Sequence, residues 1–155
     1  MKKRRKLGLA AGILFLISAA AGLTNNTNII LVIGLLGLGI GLIIGNNKIV
    51  GAIVAALALY DLYTAFSSPY PAGLIIESLA YALLAVLYLT EKRTLIIRLA
   101  ASVAYALGSL IFWISAGLTT ESSMVNSIFL IAGMIAVLPF ALAAFAVENT
   151  CKKQN

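Results

Sequence analysis

The chain has 155 residues, of which 62% fall in the hydrophobic class and 10% are charged, with a formal net charge of +6. Soluble domains run at about 45–50% apolar and about 25% charged, so this balance excludes a soluble globular protein, a disordered chain and a nucleic-acid-binding domain, and points to several membrane spans. With no His and one Cys, Cys151, the sequence lacks the ligand sets of zinc, haem and iron–sulfur centres and every His-based catalytic triad; no cofactor and no metal site is expected.

Six apolar runs are read as transmembrane helices, at 7–23, 29–45, 49–67, 72–90, 95–118 and 124–147. About 20 helical residues cross a hydrocarbon core of about 30 Å, and each run is close to that length. Barrel strands would be about 10 residues long and would alternate, whereas the stretch from Ile29 to Gly45 is apolar on every face. A backbone in lipid must satisfy its own hydrogen bonds, which leaves the helix. The expected fold is all-α: a polytopic integral membrane protein, a bundle of six transmembrane helices with short loops, forming one membrane-embedded unit over residues 1–155. The lipid bilayer is its first partner, and no nucleic-acid partner is expected.

The first run follows the basic stretch Lys2–Lys6 and carries Gly8 and Gly12. Basic residues, an apolar core and Ser18-Ala19-Ala20-Ala21 also fit a cleaved secretory signal, but about 17 apolar residues exceed the usual signal core of about 7–15. A retained first helix is the expectation. In the second run, Gly37, Gly41 and Gly45 make two overlapping G-x-x-x-G steps. Glycine lets another backbone come close, so these three are candidate helix-packing residues, within the chain or toward a second copy or another membrane protein.

The third and fourth runs each bury an acid, Asp61 and Glu77. An ionisable group near the bilayer centre costs about 2.5–3.5 kcal/mol on insertion scales and usually faces a bundle interior or water. The short turn through Ser68-Pro69-Tyr70-Pro71 makes the two helices neighbours, and both acids lie about 8–9 Å below it at about 1.5 Å per residue. Two close carboxylates resist double ionisation, so the pair can hold a proton or a cation. Asp61, Glu77 and Tyr81 are the candidate ion or proton site.

In the fifth run, Arg98, Ser102, Tyr105 and Ser109 recur at intervals of four, three and four, which places them on one helical face. They form a candidate polar seam, and Arg98 is expected to snorkel to the membrane boundary. Phe112 and Trp113 in this run, with Tyr63, Phe66 and Tyr70 around the preceding turn, are expected interfacial anchors. The sixth run carries Pro139, where a kink is expected. Cys151 beside Lys152 and Lys153 is read as a free thiol.

Counting segments outside the runs from the N-terminus, the odd-numbered ones, with Arg98 just inside the fifth run, hold all eleven Lys and Arg residues, and the even-numbered ones hold none. Cytoplasmic segments carry the Lys/Arg excess, so both termini are expected in the cytoplasm, most simply at the cell (plasma) membrane. Two functional readings fit these features. One is a small transporter or ion-conducting protein using its intramembrane carboxylates. The other is a non-catalytic accessory or structural subunit of a membrane complex, docking through the second run. An enzyme is not expected, because the loops are too short to build a site above the membrane.

Overall fold

The computed structural model describes residues 2–24, 28–91, 94–117, 135 and 137–147. Every regular element among them is helical: α1 (Lys2–Thr24), α2 (Ile29–Ile44), α3 (Asn47–Ala65), α4 (Pro71–Thr90), α5 (Leu95–Gly117) and α6, described over Val137–Ala146. Among the described residues, three helices, α3, α4 and α5, are long and apolar enough to cross a membrane. The 16 residues of α2 span about 24 Å at about 1.5 Å per residue, short of the hydrocarbon core. Helix α1 begins inside the basic stretch, at Lys2 rather than at residue 7. The first part of the sixth run, the segment ahead of residue 135 that bears on a Pro139 kink, and Cys151 lie outside the described residues.

Local chemistry sets the helix ends. Asn28 caps α2 by accepting the Ile30 N–H at 3.0 Å. Asn46 caps α3 by accepting from Lys48 and Ile49 at 3.1 and 3.2 Å. These side chains replace the missing partners of a first helical turn. Between them, Gly45 closes α2 in the left-handed conformation, φ 77°, with its N–H donated to the Gly41 carbonyl. Pro71 starts α4, where a missing N–H costs nothing.

Helices adjacent in sequence pack together, α1 on α2, α2 on α3, α3 on α4 and α4 on α5. Helix α6 closes the set: its Phe140 packs between Tyr81 and Tyr105, and the Tyr88 hydroxyl donates to the Ala143 carbonyl at 2.8 Å. One core cluster draws residues from all six helices, from Ala11 and Phe15 through Leu38, Val54 and Leu84 to Phe140 and Val147. Large apolar side chains also stand on the outside, among them Ile33, Ile44, Leu59, Leu79, Leu99 and Val103.

The glycines divide by role. A Cβ on Gly12 would lie 2.7 Å from the Gly39 carbonyl oxygen, and one on Gly39 would lie 2.9 Å from that of Gly12; this pair brings α1 onto α2. Gly37 and Gly41 face Ile53 and Val50 of α3, so their contacts are made within the chain. Gly45 makes no close packing contact within the chain. Nothing lies within 4 Å of where its Cβ would be, and its φ makes it the terminator of α2.

Candidate functional site

A cleft of about 440 Å³ opens among α2, α3, α4 and α5, at the end of the bundle that carries the α3–α4 turn. Its walls include Leu31 and Leu35 of α2, Tyr60, Asp61 and Thr64 of α3, Ser68 of the turn, Glu77 and Tyr81 of α4, and Tyr105, Ser109 and Trp113 of α5. The three residues of the candidate ion site thus share one cavity with two members of the seam.

The two acids reach it because α3 and α4 are pinned beside them. The Ser78 hydroxyl donates to the Ala58 carbonyl at 2.7 Å, buried between the helices. Ser78 follows Glu77, and Ala58 lies one turn before Asp61. On the other flank, α4 and α5 touch backbone to backbone. A Cβ on Gly108 would sit 2.7 Å from the Glu77 nitrogen, and one on Gly73 would sit 2.7 Å from the Phe112 nitrogen. These glycines bring Ser109 beside the Glu77 carboxyl. Asp61, Glu77, Tyr81 and Tyr105 all lie within electrostatic range of one another.

Asp61 is only 6% exposed. Its backbone carbonyl accepts from the Thr64 hydroxyl at 3.0 Å, but no hydrogen bond or ion pair among the described residues reaches its carboxylate. No Lys or Arg lines the cleft among the described residues. A carboxylate held in such surroundings needs a counter-cation, a proton or water.

The cleft has an aromatic floor. Tyr105 stacks on Phe140 with ring centroids 4.1 Å apart and planes 5° from parallel. Tyr81 meets both rings edge-on, at 5.5 and 5.4 Å. At about 1.5 Å per residue, Tyr81 lies roughly 15 Å along α4 from Pro71, so the floor is near mid-helix.

No protein-family model, curated protein or solved structure matches this chain. The chemistry of the site is therefore read from its own residues. It is a cavity with two acids, several hydroxyls and aromatic walls.

The rest of the seam lies elsewhere. Ser102 donates to the Arg98 carbonyl at 2.8 Å, inside α5. Arg98 is buried in the bundle rather than extended outward as expected. It is 4% exposed, donates from Nη2 to the Val147 carbonyl at 3.3 Å and lies 6.0 Å from the Phe145 ring centre. A cation at the last carbonyls of α6 complements the negative end of that helix, which explains its burial. It lies two turns along α5 from Tyr105, away from the acids.

The expected anchors also divide. Tyr63 and Phe66 are 74% and 87% exposed and present rings outward. Phe112 and Trp113 instead line the cleft, and Tyr70 packs edge-on against Phe112 at 6.3 Å. Residues not singled out from the sequence are Tyr60, Thr64, Ser68, Gly73 and Gly108. Spacing held a signal for some of them. Asp61 and Thr64 are three apart on α3, and Gly73, Glu77 and Tyr81 follow at four and four on α4, each set on one face.

Proposed function

We propose that the chain spans the membrane six times, with its basic segments and both ends on the cytoplasmic side of a cell (plasma) membrane, and that it is a small transporter or ion-conducting protein rather than an enzyme. In this orientation the cleft faces outward. Asp61 and Glu77 hold the transported cation or its coupling protons, with Tyr81 and Ser109 beside them. The Tyr81–Tyr105–Phe140 cluster closes the path inward. One observation carries the reading: Asp61 is 6% exposed and lines a cavity whose described lining supplies its carboxylate with neither a cation nor a hydrogen bond.

An accessory-subunit role has less support, because Gly37 and Gly41 already pack against α3. The test is flux in proteoliposomes. Asp61→Asn and Glu77→Gln should each abolish a pH- or ion-dependent flux while the protein stays monodisperse. Wild-type flux in both variants would refute the reading.

A further inference from the structure

We propose that the cleft takes an organic monocation with an aromatic or other apolar body, rather than a bare inorganic ion. This rests on the cation-handling reading above and adds the substrate class.

Size comes first. The cleft of about 440 Å³ lies within the roughly 300–1,000 Å³ of small-molecule sites. At about 30 Å³ per water, it holds on the order of ten times the volume one small ion needs. The walls come second. Five aromatic side chains, Tyr60, Tyr81, Tyr105, Phe112 and Trp113, line it together with leucines. The acids and hydroxyls of the lining offer oxygens, but the ring faces and leucines between them offer nothing to a hard metal ion, which takes a full shell of oxygen ligands. Such walls suit a weakly hydrated organic cation, whose body gains from apolar burial and whose charge gains from ring faces. The charge comes third. The two acids give the cleft its only formal charges among its described lining residues, and Asp61 is nine-tenths buried with a carboxylate that no described group hydrogen-bonds or pairs with as a cation. No group of three or more His, Cys, Asp or Glu side chains that could hold a metal occurs among the described residues.

Trp113 is the single tryptophan of the chain and lines the cleft, so its fluorescence reports occupancy. Titration of the purified full chain with benzyltrimethylammonium should give a saturable change. Neopentylbenzene, the neutral isostere, should give none. Asp61→Asn and Glu77→Gln should each weaken binding at least about tenfold. Tyr60→Leu keeps apolar bulk and should weaken it by about 2- to 30-fold, from the usual range of cation–π energies.

A second measurement does not depend on the acid variants folding. In a Cys151→Ser background, Thr64→Cys should be shielded from alkylation by benzyltrimethylammonium and not by its isostere. Binding that survives loss of both acids, equal binding of the isostere, or no shielding would overturn the substrate class. Absence of organic-cation binding beside an Asp61-dependent sodium, potassium or proton flux would refute this inference alone. Absence of both would refute the transport reading with it.

Discussion

Gly108→Ala is the sharpest structural test, because one added carbon must meet backbone. The new Cβ would lie 2.7 Å from the Glu77 nitrogen, 2.8 Å from Glu77 Cγ and 2.9 Å from the Gly73 carbonyl oxygen. Comfortable contact begins at about 3.5 Å, so α5 must recede from α4 by somewhat less than about 1 Å. Overpacking of this kind costs about 1–3 kcal/mol. Two of the three atoms belong to a rigid helix backbone, which places the cost toward the upper end. Alanine returns about 1 kcal/mol through helix propensity. The net loss is then about 2 kcal/mol, or roughly thirtyfold in the folding equilibrium. Reversible unfolding in mixed lipid–detergent micelles measures it. Gly37→Ala is the control, since its Cβ would meet only the terminal methyl of Ile53 at 3.1 Å, which can rotate aside. Gly108→Ala no less stable than Gly37→Ala would refute the close α4–α5 contact, and with it the placement of Ser109 beside Glu77.

Further outcomes follow from the same contacts. Ser78→Ala removes the α3–α4 bond to Ala58 and should cost about 0.6 kcal/mol, the average for interhelical bonds in membranes, read by the same unfolding assay. Gly45→Ala puts a side chain at φ 77° and should cost about 1–2 kcal/mol with no steric clash; a neutral result would place the end of α2 elsewhere. Asp61→Asn removes no structural hydrogen bond to the carboxylate and should leave stability unchanged or raised, so a marked loss of stability would show that the acid is structural. Phe140→Ala removes the stacked partner of Tyr105 and should destabilise by about 3–5 kcal/mol while raising ion leak through proteoliposomes; an unaltered leak would mean that the ring does not close the path.

All six described helices are visible in the residues as long apolar runs, because a backbone that leaves water must satisfy its own hydrogen bonds and the helix does so within one segment. The neighbouring carboxylates are equally legible, since a short turn between two helices leaves Asp61 and Glu77 at similar depths. The seam on α5 was harder. Period shows that Arg98, Ser102, Tyr105 and Ser109 share a face, but not that the face passes two environments, the cleft near Ser109 and the end of α6 near Arg98. Which glycines matter also escapes pattern. Gly37, Gly41 and Gly45 share the spacing of a packing motif, yet one of them is a helix terminator. The close α4–α5 contact comes from Gly73 and Gly108, which form no motif within either helix. A pairwise contact depends on the crossing of two helices, and neither sequence alone encodes it.

The most direct test of the proposal that the cleft faces outward is side-specific labelling of the two ends of α3. In a Cys151→Ser background, Ser68→Cys at the cleft mouth should react with a membrane-impermeant maleimide added to intact cells, whereas Lys48→Cys should react only after the membrane is permeabilised. Reaction of both from the same side would contradict the account.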